Sequence, residues 1–193
     1  MRSLTVLTAT KAEAAALINH FKLVKGEVGQ NSYHNQNLSV VVTGIGKQAA
    51  YQKVKQLVEG GLGVDAIVNI GIAGAKELAV GSLVWPRRVG DVIINKGLPE
   101  QQTSAMQVLS SDKPTQPTEV RIIYDMEAQG ICDALTAKTS HVQVFCAKVI
   151  SDNERHSHKQ ISAQQATDLI RRHLVEFERM FELIAHTTAE TYT

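Results

Sequence analysis

The sequence predicts a three-layer α/β sandwich, a mixed and mostly parallel sheet flanked by helices, and three observations lead there. The runs LSVVVT at 38–43 and AIVNI at 66–70 are apolar without alternation, as strands covered on both faces are. Segments with apolar residues at helical spacing fall between such runs, so strands and helices take turns along the chain. The length of 193 residues suits one domain with at most an appendage, a typical domain being about 150 residues. No internal repeat or linker divides it, so 1–193 reads as one domain. A chain of this size buries roughly 70% of its unfolded surface and needs no metal or disulfide to hold a core.

Residues 4–8 read as a strand and 11–22 as a helix, with Thr10 as its cap and Glu13 completing a capping box three residues later. Residues 26–37 are polar and turn-rich, a hairpin or loop. The strand at 38–43 meets Gly44-Ile45-Gly46 and then a helix from about Gln48 to Glu59, ended by Gly60, Gly61 and Gly63. The strand at 66–70 runs into the turn Gly71-Ile72-Ala73-Gly74. One or two strands follow over 81–89 and 91–94. Residues 95–118, rich in Gln, Ser and Thr and holding three of the four prolines, read as a loop. A strand at 120–124, a helix at 126–138 and a strand at 141–150 come next. From 161 to about 185, one apolar stripe includes Leu169, Leu174, Phe177, Phe181 and Ile184, with Ser162 and Gln165 as its capping box. Such a stripe is core packing.

Composition excludes several classes. Twenty Lys+Arg against 19 Asp+Glu give a net charge of +1, with no basic run to attract nucleic acid or an anionic membrane. Cys132 and Cys146 lie outside any C-x-x-C spacing, so neither a zinc site nor a disulfide framework is indicated. They read as buried thiols in a reducing compartment. The apolar stretch at 4–7 is too short for a secretory segment, and no later stretch is continuous enough to span a bilayer. A cytoplasmic location is expected.

Folds of this class bind ligands at the carboxyl ends of their strands. There the sequence places Glu13, the two glycine turns, Met126-Glu127 and Ser151-Asp152-Asn153. Carboxylates without cationic partners suit proton transfer and sugar hydroxyls better than phosphate. A dinucleotide fingerprint is half present in Gly44-x-Gly46-x-x-Ala49. The ribose-binding acid should stand at the far end of the next strand, but Asn69 is there and Asp65 is at the start. A Walker loop fails because Gln48 follows Gly46-Lys47. His156-x-His158 has no third ligand in view and reads as a solvated loop. Trp85-Pro86-Arg87-Arg88 fits a ligand contact or a surface turn equally.

Four motifs in order resemble the nucleoside phosphorylase/nucleosidase superfamily: Gly44-Ile45-Gly46-Lys47, Asn69-x-Gly71-x-Ala73-Gly74, Asp125-Met126-Glu127-Ala128 and Val149-Ile150-Ser151-Asp152. The similarity spans roughly 4–94 and 120–153 and is nearest to methylthioadenosine/S-adenosylhomocysteine nucleosidases, with futalosine hydrolase nearby. The resemblance implies a nucleoside phosphorylase-like fold and hydrolysis of a purine N-glycosidic bond. Asp152 would be the acid that protonates the departing base, which requires that desolvation keep its proton on. Glu13 would position the attacking water. Glu127 would bind the ribose hydroxyls, with Met126 against the sugar and Gly71, Ile72, Ala73, Gly74 and Ser151 lining the substrate site. Breaking the bond builds positive charge on the sugar and leaves electrons on the base, so an acid facing the base and fixed negative charge near the ribose both help.

The glycine-rich, arginine-containing phosphate loop of the phosphorylases is absent from Ala9-Thr10-Lys11-Ala12, which favours water as nucleophile. The expected partner is a small-molecule nucleoside, with no metal or cofactor, no nucleic acid and no membrane; such relatives are usually homodimers. The chain departs from them in three places. The stretch between Gly81 and Met126 is shorter by several tens of residues and lacks, in 95–118, the aromatic that stacks on the base. Such stacking is worth about 1–3 kcal/mol. Ile72 replaces a small polar residue, and Lys148 an arginine near the acid.

Each acid also has a purely local explanation. Glu13 can be half of a capping box, Glu127 a first-turn acid favoured by the helix dipole, and Asp152 a turn residue after a strand. An alternative function is therefore a catalytically degenerate family member that binds a nucleoside or a protein. Convergence of Glu13, Glu127 and Asp152 on one hollow separates the two accounts.

Overall fold

β1 (Ser3–Thr8) opens the chain with Val6 and Leu7 fully buried, and α1 (Lys11–His20) follows behind the Thr10–Glu13 capping box. The computed structural model describes residues 3–26, 31–60, 64–137, 142–156 and 161–190. A short antiparallel pair, β2 (Val24–Lys25) and β3 (Ser32–His34), leads to β4 (Leu38–Val42) and α2 (Lys47–Glu59). Then come β5 (Val64–Ala75), β6 (Leu83–Val84), β7 (Pro86–Val89) and β8 (Val92–Ile93). A 3₁₀ turn (Glu100–Gln102) precedes β9 (Ser104–Ser110), β10 (Ile122–Asp125) and α3 (Ala128–Thr136). β11 (Gln143–Asp152), α4 (Ala163–Arg171) and α5 (Leu174–Glu190) complete the chain.

The strands form one mixed sheet in the order β2-β3-β4-β1-β5-β10-β9-β7-β8, with β11 pairing β5 and β6. This is the α/β fold with helices against a mixed sheet that the sequence predicts. β5 is its axis. β11 runs parallel along one edge from Ala66 to Gly74. The other edge changes partner: β1 pairs with it in parallel as far as Asn69, and β10 takes over in antiparallel at Gly74 and Ala75. Between those two partners the edge of β5 is open, and a cavity lies there.

Four expectations need correction. Residues 95–118 are not a loop throughout. Ser104–Ser110 is β9, hydrogen-bonded between β7 and β10 with Val108 fully buried; partners on both sides supply what its polar sequence lacks. Gly71-Ile72-Ala73-Gly74 is no turn but the second half of β5, held by β11. Ser151 and Asp152 likewise lie within a strand, at the end of β11. The apolar stripe after 161 is two helices broken at 172–173, where the His173 ring donates from Nε2 to the Gly81 carbonyl at 2.7 Å.

Trp85 belongs to the core and not to a ligand site: it packs edge-on against Phe177, which stacks on Phe181. Arg87 pairs with Glu100 and Thr103 at the surface. Cys132 and Cys146 are buried free thiols, and burial pushes both up to about 12. No helix among the described residues is long and apolar enough to cross a membrane. Phe177→Ala would empty the centre of the helical layer. It should cost about 3–5 kcal/mol of stability, measured by urea unfolding.

Candidate active site

The sequence folds three separated acids onto one cavity of about 470 Å³. Glu13, Glu127 and Asp152 all line it, together with Met126, Ile72, Ala73, Gly74 and Ser151. Gly71 does not line it; its place is beneath Glu13.

Glu13 sits in the first turn of α1, and its capping and site-building contacts are made by one carboxylate. Oε2 accepts from the Thr10 amide (2.8 Å) and hydroxyl (2.9 Å), while Oε1 accepts from the Ile72 amide (3.0 Å). That amide is free for it because β1 has ended and β10 has not begun. A methyl on Gly71 would stand 2.9 Å from Oε1, and one on Gly74 would stand 2.6 Å from Asp152 Oδ2. Both are closer than carbon tolerates, so the two glycines make room for the two acids.

Asp152 is carried by a β-bulge: Ile150 pairs with Ala73 and Asp152 with Gly74, leaving Ser151 as the extra residue. A bulge re-aims side chains, and here Ser151 and Asp152 both reach the cavity. The Ser151 hydroxyl donates to Asp152 Oδ1 at 2.7 Å, and the carboxyl is buried.

Glu127 is the residue before α3, with no side-chain cap to make there. It instead accepts the Gly46 amide at 2.7 Å across 81 residues of sequence. This contact also disposes of the dinucleotide fingerprint, since the amide a pyrophosphate would need is occupied by a carboxylate. Burial raises the Glu127 carboxyl from 4.5 to about 7; the Lys148 ammonium and the Gly46 amide oppose the rise, and Asp125 and Glu13 add to it.

Lys148 and Asp125 form the buried floor. Lys148 Nζ lies 2.7 Å from Asp125 Oδ2 and 2.6 Å from Asn69 Oδ1. Burial would lower its pKa, but Asp125, Cys146 and Glu127 more than reverse that and keep it charged. Asp125 is further held by the Ser110 hydroxyl and the Ala128 amide. Among the described residues no Lys, Arg or His lines the cavity itself, and no cluster of three His, Cys, Asp or Glu is set to hold a metal. The His156 amide donates to Asn153 Oδ1; His158 lies outside the described residues.

Sequence reasoning missed part of the wall. Tyr124, Asp125, Ser111, Pro114 and Thr115 line one side, and Ala163 and Ala166 of α4 another. Pro114 and Thr115 come from the segment after β9, and no pattern marks them.

A mixed sheet with a carboxylate-lined cavity at the split edge of its central strand defines the class. Residues 3–157 match the model of the phosphorylase superfamily, and the chain belongs to that superfamily. No curated protein sequence is similar enough to count as a relative. Solved structures share the fold. One is the 5′-methylthioadenosine/S-adenosylhomocysteine nucleosidase of S. pneumoniae with a transition-state inhibitor (TM-score 0.66, 19% identity, 96% of this chain and 97% of that one). A nucleosidase from Chlamydia trachomatis bound to MTA (0.71, 18%, 94% and 100%) is another. The 5′-methylthioadenosine nucleosidase of Arabidopsis thaliana, without ligand, is a third (0.70, 16%, 97% and 96%).

Because the folded pKa of Glu127 lies above its ordinary value, the folded state favours the protonated carboxyl. Its stability contribution is full below pH 4.5 and is lost as pH rises through about 7. Glu127→Gln should therefore melt increasingly above wild type from pH 5 to pH 8, by on the order of 2 kcal/mol at the upper end. Thermal melts across that range measure it; a constant difference contradicts the assignment.

Proposed function

We propose that this chain hydrolyses the N-glycosidic bond of a purine nucleoside of the methylthioadenosine/S-adenosylhomocysteine type. One observation carries the proposal: Glu13, Glu127 and Asp152, all buried, line one cavity large enough for a sugar and its base. The likeness to nucleosidase structures supports the same substrate class.

In this reading Asp152 gives its proton to the base as the C1′–N bond breaks and the bonding electrons leave with the base. The sugar becomes cationic at C1′. Ionised Glu127 holds the ribose hydroxyls and, with Glu13, places negative charge beside the forming cation. Water adds to C1′ and its proton passes to Glu13, whose carboxylate is already oriented by Thr10 and Ile72. Met126 and Ile72 pack against the sugar; Ala73, Gly74 and Ser151 shape the base end. Among the described residues a dianionic phosphate would meet acids and no cation on the cavity wall, so water suits the site better.

Purified protein should release adenine from methylthioadenosine without added phosphate, read by chromatography. Asp152→Asn should lower kcat by at least about 100-fold, the usual weight of a proton donor, with its melting curve unchanged. Since Glu127 acts ionised, kcat/KM should fall as pH drops below about 7. Equal turnover by wild type and Asp152→Asn refutes the mechanism. Nucleoside binding with no turnover by wild type shows a degenerate member.

A further inference from the structure

Among the described residues Lys148 is the only buried Lys or Arg, and the proposed reaction gives it no task. Its neighbours in β11, Ala147 and Val149, are fully buried too. Stability alone does not call for an ammonium there, because apolar side chains of like volume often replace buried ion pairs without loss. Its contacts point to the cavity instead. Nζ donates to Asp125 Oδ2 at 2.7 Å and to Asn69 Oδ1 at 2.6 Å. The same Asp125 oxygen accepts the Ala128 amide at 2.9 Å, so Lys148 and the start of α3 share one acceptor. Met126 and Glu127 are the two residues between Asp125 and Ala128, and their turn is therefore anchored on the ammonium.

Lys148 is in register with Gly71 of β5. A methyl on Gly71 would stand 3.7 Å from Nζ and 2.9 Å from Glu13 Oε1, so the ammonium and a cavity carboxylate border the same gap above the bare glycine. The other groups around Glu127 are acids or are occupied. Glu13 of α1, Asp125 of β10 and Asp152 of β11 share its cavity. Lys47, at the start of α2, pairs with Asp112. The Cys132 and Cys146 thiols, pushed up to about 12, keep their protons.

We propose that Lys148 is a positioning residue for Glu127: through Asp125 it anchors the turn that carries Glu127, and from beneath the cavity it supplies the positive charge against which Glu127 ionises. What ionised Glu127 then does, holding the ribose hydroxyls, rests on the nucleosidase reading. The ammonium touches no ligand in this role, because Asp125 and Asn69 hold it below the wall.

Carboxyl-carbon NMR of glutamate-labelled protein tests this without turnover, the Glu127 signal being the one lost in Glu127→Gln. Glu127 should titrate at about 7 in wild type. Lys148→Met, which keeps the stem and removes the charge, should raise that midpoint by about one unit or more. Lys148→Arg, which keeps the charge, should titrate close to wild type. The double variant Lys148→Met/Asp125→Asn leaves no partner charge orphaned. Its midpoint should still rise, by less, because Lys148 outweighs Asp125 at Glu127. With methylthioadenosine, the acid limb of kcat/KM should move with the midpoint, so that Lys148→Met loses about tenfold at pH 6 and little at pH 9. A packing role alone would lower activity equally at both. An unmoved Glu127 midpoint in Lys148→Met, or in the double variant where the single one does not fold, overturns the proposal. So does a Lys148→Arg midpoint as high as that of Lys148→Met. Shifted midpoints in a protein that releases no base uphold the role of Lys148 and reject the hydrolase reading. Base release with the same acid limb in every variant does the reverse.

Discussion

Carboxylates repel one another, and four of them, Glu13, Asp125, Glu127 and Asp152, share the wall of one cavity. Each is buried, so water does little to separate their charges. What permits the arrangement is that each has its own donors. Glu13 takes two backbone amides and a hydroxyl, Glu127 one amide, Asp152 one hydroxyl, and Asp125 the Lys148 ammonium with an amide and a hydroxyl. A buried ion pair tolerates desolvation only when further hydrogen bonds satisfy its members. Asn69 provides that for Lys148. The ammonium is thereby committed to Asp125, and burial raises the carboxyl of Glu127, which has a single amide.

The donors exist because the sheet is irregular where it matters. A regular ladder would occupy the Ile72 amide. The change of partner from β1 to β10 frees it for Glu13. A regular β11 would point Ser151 and Asp152 to opposite faces. The bulge brings both to the cavity. These irregularities weaken the sheet locally, and the unbroken pairing of β5 with β11 below them, around fully buried Val68, Ile70 and Phe145, offsets that loss.

The acids were legible in the sequence because their local signals are strong: a capping box at Thr10–Glu13, and acidic residues at the ends of apolar runs. The Glu13 carboxylate that closes the capping box also reaches the Ile72 amide beside the cavity, so the capping explanation does not exclude a place in the site. Other features were hidden for physical reasons. β9 reads as loop because Ser104, Gln107 and Ser110 carry no β-signal of their own, and it becomes a strand only when β7 and β10 flank it. The break between α4 and α5 leaves apolar spacing intact, and the His173 contact with Gly81 that sits at the break spans 92 residues. Lys148 lies in an otherwise apolar strand, and nothing near it in sequence names Asp125 as its partner.

The charge balance of the cavity also bears on which nucleophile fits. With Lys148 held below the wall by Asp125 and Asn69, no uncommitted positive charge among the described residues faces the cavity. A dianion entering there would lose hydration and face four acids, a cost that low dielectric magnifies. Water carries no charge and loses less. The same excess of negative charge is a disadvantage before the bond breaks and an advantage as it breaks, because positive charge appears on the sugar only then. Interactions that strengthen with the developing charge accelerate a reaction, whereas those felt equally by the ground state do not. Under the nucleosidase reading, the crowding of carboxylates that strains the folded protein is therefore the feature that favours its transition state.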